Sequence, residues 1–405
     1  MWQKDRQPTF FSERFANLVP EDDRFRVIKE NVDFAFVNEI ARSRYSSLGP
    51  TGYAPDKLFR MLIVMYLEGI RSERELEKRL TFDIRYRYFC DLDIDDDIPD
   101  HSTFCVFRSR LSDELFKEIF VRILDRIFAL GFDAPEHVSI DSTSVIADCA
   151  TPRERGDKPV TDPDAAWGRK KGKQPNFGYG VHLVIDADTG LIVAADVAPA
   201  NVDDMVVAKD LIPEALDSLD QIPEHLSADS AYAYEPIHEI LEEKGVIPII
   251  PTRGAGPKME PGFSKDDFIF NGVTFICPAG HPMKRYGKKT GDIRFVGTEC
   301  DTCLMRSSCT KSKTEPRMLR VSGDWQRKLK HKGFTETDKF KEQYKKRSGI
   351  ERINAELKRW HGLARAKFRG LVKVRIQLFA SCIALNLKKL AAFISKSPPK
   401  AAYCA

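Results

Sequence analysis

The sequence predicts an α/β fold that follows an all-helical region and carries a small Cys-rich insertion. Between about residues 26 and 131, apolar side chains recur at helical spacing. Three later segments, HVSIDSTSVIA, FGYGVHLVIDA and GLIVAADVAP, alternate apolar and polar residues as half-buried strands do. Four of the nine cysteines then cluster within 33 residues of one another, so we expect a separate insertion there.

Local signals place the helices of the N-terminal region. One helix is expected at about residues 26–42, and another begins at Pro55 and ends near Gly69. Ser72 can cap a third helix, because a Glu three residues later completes a capping box. Ser102 is the predicted cap of a short helix further along. The helix–turn–helix spacing indicates DNA binding, although an ordinary pair of bundle helices would look the same.

The sheet region predicts three strands followed by alternating helices and strands. Asp188–Gly190 supplies a hairpin turn between the second and third strands. DDMVVAKDLIPEALDSL and EPIHEILEEKG are predicted helices, and EHLSADSAY and VIPIIP are predicted strands. After a long interruption, residues 344–360 (YKKRSGIERINAELKRW) predict one further helix. Strands and helices in this order form a sheet layered with helices.

Charge is unevenly distributed along the chain. The net charge is +4, but residues 311–375 hold 21 Lys and Arg against 7 Asp and Glu, a net of +14. The remainder therefore carries −10. A basic C-terminal third favours a polyanionic partner, nucleic acid first, although a solvated lysine-rich surface is the alternative. Charges interrupt the apolar runs and the first residues lack a secretion-signal layout, so we expect no membrane span and a cytoplasmic protein.

Three acids are candidates for a metal-dependent active site. Asp141 lies in the first predicted strand, within SIDST, and Asp229 ends a later strand, within SADSAY. Glu351 lies on the predicted helix at 344–360. Carboxylates from two strands and one helix can hold two Mg²⁺ ions about 4 Å apart for an in-line phosphoryl displacement. Each acid alone could equally cap a turn or stay structural.

The helix that carries Glu351 has two distinct faces. At 100° per residue, Glu351 shares an arc of roughly 60° with Tyr344, Arg347 and Lys358. Another stripe is apolar and is predicted to dock on the core; it comprises Ile350, Ile353 and Leu357. The polar face therefore presents an acid framed by two cations and a phenol.

The cysteine cluster predicts a zinc site. Cys300-x2-Cys303 forms a knuckle, and Cys277 and Cys309 supply two further thiolates, as tetrahedral zinc requires. His281 could replace one of the cysteines. Free thiols in an ordinary loop remain the alternative. A closed four-ligand site would be structural and would hold an insertion with little core of its own.

Several motifs resemble those of a known family. Tyr344-x2-Arg347-x3-Glu351-x6-Lys358 is similar to the Y-R-E-K signature of DDE transposases from bacterial insertion sequences of the broad fourth-family type. SIDST and SADSAY resemble the strand motifs that carry this family's aspartates. PDHSTFCVFRSRL and WHGLARAKFRGLVKVRIQLFASCIALNLKKL resemble N- and C-terminal segments of the insertion-sequence-1182-like and fifth-family groups. The resemblance covers about residues 45–393.

This resemblance implies a fold, a reaction and partners. It implies a ribonuclease-H-like core in which Asp141, Asp229 and Glu351 bind two Mg²⁺ (or Mn²⁺) ions. Arg347 and Lys358 would bind DNA phosphates, and Tyr344 would contact the DNA backbone. The enzyme would bind the terminal inverted repeats of its insertion sequence, cleave them and transfer the strands to target DNA. The family also implies a homodimer or higher assembly, and we expect a nucleoid-associated protein.

The expected domains follow from these assignments. Residues 1–132 form a helical DNA-binding domain, residues 133–252 and 318–393 form the catalytic core, and residues 253–317 form the zinc insertion. Three alternative functions stay open: a transposase-derived DNA-binding protein without catalysis, a ribonuclease-H-like nuclease, and a zinc-dependent regulator without an active site. The sequence does not specify the inverted repeat, the target preference or the excision pathway.

Overall fold

The computed structural model describes residues 17–46, 52–156, 158–168, 174–253, 262–289 and 292–396. The Cα positions group into two compact units. The first unit contains the described residues up to Ala228, Pro236–Pro248 and those from Tyr344 onward. The second unit contains Asp229–Glu235 and Ile249–Gln343.

The N-terminal part of the first unit is helical, as the sequence predicted. Its α-helices are α1 (Arg24–Asn31), α2 (Phe36–Ala41), α3 (Pro55–Leu67), α4 (Glu73–Phe82), α5 (Ile84–Phe89), α6 (His101–Arg110) and α7 (Asp113–Ala129). A single 3₁₀ turn at Arg42–Arg44 follows α2.

Capping chemistry fixes these helix ends, and two predictions were wrong. Pro55 begins α3, and the Ser72 hydroxyl accepts the Glu75 N–H at the start of α4, as predicted. The expected helix at 26–42 is instead two helices, because the Asp33 carboxylate accepts the Ala35 N–H and holds a turn between them. The cap of α6 is Asp100 rather than Ser102, since its carboxylate accepts the Ser102 N–H at 2.7 Å.

The rest of the first unit is built around a mixed six-stranded sheet. The strands are β1 (His137–Ile146), β2 (Ala166–Gly168), β3 (Asn176–Asp186), β4 (Ile192–Pro199), β5 (His225–Ser227) and β6 (Ile247–Ile249). Their order is β2-β3-β1-β5-β6, and β4 pairs with β3. β3 is antiparallel to β1, β2 and β4, whereas β5 is parallel to β1. The sequence predicted all of these strands except the short β2.

The predicted hairpin and helices of the sheet region are present. The β3–β4 hairpin closes at Gly190, whose φ of +72° lies in the left-handed region that favours glycine. A short helix that the sequence did not predict, α8 (Pro152–Arg155), follows β1, and the two predicted helices are α9 (Asp204–Asp217) and α10 (Glu235–Glu243). The mixed α/β class and the helical N-terminal region are therefore confirmed.

The second unit contains two small sheets and further helices. β7 (Ile269–Phe270) pairs with β8 (Phe275–Ile276), and the other sheet has the order β11-β10-β9. Its strands and helices are β9 (Met283–Lys289), β10 (Asp292–Gly297), α11 (Arg306–Cys309), β11 (Met318–Val321) and α12 (Trp325–Thr335). A 3₁₀ turn also spans Lys265–Asp267. Seven buried apolar side chains form its core, among them Phe275, Phe295 and Trp325.

Three C-terminal helices complete the chain: α13 (Asp338–Lys346), α14 (Ser348–Trp360) and α15 (Leu371–Lys396). α15 is the central core helix of the first unit and packs on α7, α3 and β4. It is long and apolar enough to cross a membrane, so the expectation that charges interrupt every such stretch was wrong. Its apolar window is 72% buried inside the protein, as a core helix is.

Candidate active site

Asp141 lies on the central strand of the large sheet. It pairs with Leu183 of β3, and its side chain is 17% exposed. Successive residues of a strand point to opposite faces, so Asp141 shares a face with Ser139, two residues earlier. The Ser139 hydroxyl forms a 2.6 Å hydrogen bond with the Ser227 hydroxyl of the neighbouring parallel strand β5. The backbone around Asp141 is therefore held on both sides.

Helix α14 packs over β1 through the apolar stripe that the sequence predicted. The exposed fractions of Ile350, Ile353 and Leu357 are 0%, 5% and 0%. Gly349 lies close to the sheet hairpin, and a Cβ there would come within 3.3 Å of the Ala187 carbonyl oxygen. These contacts fix the first turn of α14, which carries Glu351.

The predicted single helix at 344–360 is interrupted at Arg347. This residue keeps helical backbone angles (φ −54°, ψ −29°), but its N–H donates to the Tyr344 carbonyl three residues back. The Ser-Gly pair that follows has low helix propensity, which explains a break at this point. Tyr344 consequently lies on α13, whereas Glu351 and Lys358 lie on α14.

The Arg347 guanidinium joins two of the three predicted catalytic acids. Its Nη1 lies 3.1 Å from Glu351 Oε1, and its Nη2 lies 3.7 Å from Asp141 Oδ1. The Arg347 side chain is 15% exposed, whereas that of Glu351 is 63% exposed. Arg347 thus contacts the carboxylate of Asp141 on β1 and that of Glu351 on α14 at the same time.

Asn354 is a site residue that the sequence analysis missed. Its Nδ2 donates to Asp141 Oδ2 at 3.3 Å, and the residue is 8% exposed. Its Oδ1 is buried and accepts no hydrogen bond within the described structure. Asn354 occupies the i+4 position of the apolar stripe that begins at Ile350, where another apolar residue is expected. A polar residue at that position was the signal that could have revealed it.

Asp229 follows β5 and caps a turn. Its carboxylate accepts the Ala231 N–H at 2.8 Å at the start of the 3₁₀ turn Ser230–Tyr232. In the β1–β5 register, Ser139 is aligned with Ser227. Asp141 and Asp229 each lie two residues beyond that aligned pair. Asp229 itself belongs to the second unit.

The donor set around Asp141 fits a hard divalent cation. Asp141 and Glu351 offer carboxylate oxygens, and the unpaired Oδ1 of Asn354 is a buried oxygen without a donor. Mg²⁺ and Mn²⁺ prefer such oxygens and keep part of their water shell. Arg347 places a positive charge between the two carboxylates and so offsets part of their mutual repulsion.

The four predicted zinc ligands surround one cavity of the second unit. Cys277, Cys300, Cys303 and Cys309 all line it, together with His281. Burial raises the pKa of the Cys309 thiol, and the nearby thiols of the other three cysteines raise it further. His281 Nδ1 lies 3.0 Å from Glu299 Oε2, so the imidazole already has a partner outside the thiol group.

Another group of possible ligands lies in the helical region. Among the described residues, Glu77, Asp100 and His101 bring their ligand atoms within 4.8 Å of one another. Hydrogen bonds account for this arrangement. The His101 N–H donates to Glu77 Oε2 at 3.0 Å, and Asp100 caps the same helix. We therefore interpret the group as the start of α6.

Comparisons with known proteins found two family models that match this chain and a solved structure to which it is similar. The chain is similar to the piggyBac transposase in a cryo-EM structure of its synaptic complex with hairpin DNA. The two share 11% identity over 96% of this chain and 76% of that chain, with a TM-score of 0.38. The family "Transposase domain (DUF772)" matches residues 13–110, and the family "Transposase DDE domain" matches residues 133–387, well over half of the chain. These two domains are those of the bacterial insertion-sequence DDE transposases that the motifs predicted. The chain therefore belongs to the transposase DDE family and is a DNA transposase of the polynucleotidyl transferase class.

Proposed function

We propose that this transposase binds the terminal inverted repeats of its insertion sequence and cuts and joins DNA at a site formed by Asp141, Asp229 and Glu351. The observation that carries the proposal is the shared contact of Arg347 with Asp141 and Glu351, within the stretch that matches the transposase DDE domain. Ser139 of β1 is aligned with Ser227 of β5, and Asp141 and Asp229 each lie two residues after this pair. This correspondence supports Asp229 as the third residue of the triad.

The reaction is two phosphoryl transfers. Water attacks the phosphodiester at an element end, the bond from phosphorus to the 3′ oxygen breaks, and a 3′-OH is released. That hydroxyl then attacks a phosphodiester of the target, so one bond forms as another breaks and no covalent protein intermediate is needed. When bound, divalent metal ions stabilise charge on the entering and leaving oxygens.

Each residue has a distinct role in this scheme. Asp141, Asp229 and Glu351 supply metal-binding oxygens, and Asn354 fixes the rotamer of Asp141 through its amide. Arg347 keeps two carboxylates together before metal arrives and can bind a DNA phosphate afterwards. Lys358 lies two turns after Glu351 on α14 and is proposed to bind phosphate, while Tyr344 contacts the DNA backbone.

The strand arrangement supports a ribonuclease-H-like core. In the order β4-β3-β1-β5-β6, β3 is antiparallel to both of its long neighbours, and the next strand, β5, is parallel to β1. The proposed acids then come from the central strand β1, from the end of β5 and from α14. We further propose that the helical residues 1–132 bind the element ends, that the enzyme acts as a homodimer or higher assembly, and that it is cytoplasmic and nucleoid-associated.

A structural zinc ion is proposed for the cysteine cavity. Tetrahedral coordination with zinc–sulfur bonds of about 2.3 Å requires sulfur atoms about 3.8 Å apart. Among the described residues the four thiols line one cavity, but no three of their sulfur atoms all lie within 4.8 Å of one another, so zinc binding requires the thiols to come closer together. Zinc would replace thiol protons and hold the segment 253–317.

Cleavage of an end-containing duplex tests the proposal. With Mg²⁺, the full chain should nick the duplex and form joined products with a second duplex. Asp141→Ala, Asp229→Ala and Glu351→Ala should each abolish both products and leave end binding largely unchanged. The matched control is Asp217→Ala, which removes an exposed acid paired with Lys244 and should cleave normally.

The same assay distinguishes the other functions. Near-normal cleavage by any one of the three triad variants would remove that residue from the triad. Binding without cleavage would indicate a DNA-binding protein without catalysis, and nicking without joined product would indicate a nuclease.

Lys358→Ala should reduce the slope of log K against log[salt] by about 0.9, as expected for one lost phosphate contact.

A further inference from the structure

The second unit presents a basic sheet face that the triad does not use. In the β9–β10–β11 sheet, Met283, Ile293, Phe295 and Leu319 point into the core of the unit. Side chains alternate between the faces of a strand, so the opposite face carries the residues between them. That face, here called the outer face, consists of Lys284, Tyr286, Arg294, Val296, Met318 and Arg320.

The outer face is open and carries positive charge only. Tyr286 is 64% exposed and Met318 is 37% exposed, and Lys284 and Arg320 are also exposed. Its six residues include three cations and no acid. Within the part of the chain that the structure describes, none of the three cations forms an ion pair with a carboxylate. The Nε of Arg294 is buried and donates no hydrogen bond to a described residue.

Two arginines of this face are directly opposed. The strand register aligns Arg294 with Arg320 on one side and with Tyr286 on the other, so these three residues form one row across the sheet. Like charges directly opposite each other on neighbouring strands are destabilising. A row of this kind is stabilised when an anion lies across it.

We propose that the outer face binds the phosphate backbone of duplex DNA, in addition to the contacts expected around Glu351. Three strands about 4.8 Å apart give a flat surface about 10 Å wide, with its cations on all three strands. Guanidinium groups bind phosphate in a bidentate manner, and tyrosine hydroxyls are common donors to phosphate and sugar. The polar residues of the face are two arginines, a lysine and a tyrosine, which suit phosphate and sugar contacts. We therefore expect this face to bind DNA independently of base sequence. This inference rests on the proposed function only in taking DNA as the ligand.

Salt-dependent binding tests the outer face. A labelled 25-base-pair duplex of arbitrary sequence is titrated with the full-length protein without added Mg²⁺, and the dissociation constant is measured by anisotropy over a range of NaCl concentrations. The double variant Arg294→Gln/Arg320→Gln should flatten the slope of log K against log[salt] by about 1.8, since each lost phosphate contact is worth about 0.9. Tyr286→Ala should weaken binding with little change of slope.

A matched control removes the same charge elsewhere. Lys265→Gln/Lys313→Gln also lowers the net charge by two, and both lysines are exposed on other elements of the second unit. Its slope should equal that of the wild type. Thermal unfolding and zinc content of the arginine variant should match the wild type, and Arg294→Lys/Arg320→Lys should restore most of the slope because it restores the charge.

The outcomes separate this inference from the proposed function. If the arginine variant and the wild type give equal slopes while the wild type still cleaves element ends, the outer face is not a DNA surface and the transposase assignment stands. The inference about the outer face would also be overturned if the arginine and lysine variants lost equal amounts of slope. An effect of the arginine variant that is confined to single-stranded DNA would overturn it as well. A wild type that neither binds duplex nor cleaves ends would contradict the proposed function itself.

Discussion

The two units of the chain differ in how much hydrophobic core supports their chemistry. In the first unit, one continuous cluster runs from Phe25 in α1 to Ile394 in α15 and includes both faces of α15. In the second unit, the described core is seven side chains, four of them aromatic. Asp141 and Glu351 belong to the first unit, whereas the four cysteines belong to the second, where Cys277 packs against the small core. We infer that a large packed core supports the elements that carry Asp141 and Glu351, whereas the proposed zinc ion would support the second unit.

The largest effect is expected from removing the proposed zinc ion of the second unit. Structural zinc binds with about 10–16 kcal/mol of apparent free energy in small zinc domains, and this is folding free energy. Cys303→Ser should therefore lower the zinc content and increase hydrogen exchange across β7–β11, while exchange in β1 and β3 stays slow. The control is Cys105→Ser, an exposed cysteine outside the cluster. Slow exchange in β9 and β10 of a zinc-free protein would show that the small core is sufficient.

Truncation of the large core gives the next largest effect. Leu357 is fully buried under α14, so Leu357→Ala leaves a cavity and should lower the free energy of unfolding of the first unit by about 2–5 kcal/mol. The same substitution at Leu18, which is 65% exposed, should change it by less than about 0.5 kcal/mol. Denaturant titration followed by hydrogen exchange measures both. Equal losses in the two variants would contradict the assignment of α14 to the core.

Most of the architecture could be predicted from local patterns. Strand alternation, the hairpin at Gly190 and the stripe Ile350–Ile353–Leu357 depend on neighbours in sequence, and the structure contains all three. Errors arose where two local signals competed. Asp100 and Ser102 are both good caps, and Asp100 takes the position because its carboxylate accepts the Ser102 N–H in the first turn of α6.

The site was predictable only in part, because its contacts are non-local. The motif spacing indicated Asp141, Arg347 and Glu351, and the structure brings these three together. Asn354 was missed because its role depends on how α14 lies across β1, which no periodic pattern encodes. The break at Arg347 was missed for a different reason: the Ser348-Gly349 pair is a local signal for it, but the helical periodicity on either side indicated one continuous helix. The catalytic, metal-binding and DNA-binding roles of all these residues, and of Asp229, Tyr344 and Lys358, remain predictions.

The amide of Asn354 gives a prediction of intermediate size. Partners that orient metal ligands are typically worth 10–100-fold in metal affinity or activity. Asn354→Ala should thus weaken Mn²⁺ binding by about 10–100-fold, measured by calorimetry without DNA, and lower end cleavage by a similar factor. Asn201→Ala, at an exposed loop position, is the control.

A structural role alone would give a different result for Asn354. Asn354→Leu keeps the volume and the burial of the side chain but removes the hydrogen bond to Asp141. If it folds with wild-type stability and still binds Mn²⁺ poorly, the amide acts through Asp141. Unchanged Mn²⁺ affinity in a stable Asn354→Leu variant would show that Asp141 needs no such support.

The smallest expected effect concerns the pH dependence of stability, and it compares the buried His361 of the first unit with the partly buried His331 of the second. Burial lowers the pKa of His361, whose Nδ1–H donates to the Tyr66 carbonyl at 2.9 Å. Burial also lowers the pKa of His331, whose Nε2 lies 2.7 Å from the Ile250 carbonyl oxygen. A lowered pKa means that the folded state binds fewer protons than the unfolded state. Each histidine therefore contributes stability above the unfolded value of about 6.5, and this stability is lost as the pH falls below that value.

Variants at the two positions should act on different units. His361→Gln should flatten the fall in stability of the first unit between pH 7 and pH 5, and His331→Gln should do the same for the second unit, as followed by hydrogen exchange in β3 and in β10. Release of the proposed zinc ion should contribute in the same pH range, because the thiolates regain their protons. The second unit should thus keep part of its acid sensitivity in His331→Gln, whereas the first unit should lose most of this slope in His361→Gln. Equal residual slopes in both units would mean that the cysteine cavity adds nothing to acid sensitivity, and the contrast between a packed unit and a metal-held unit would fail.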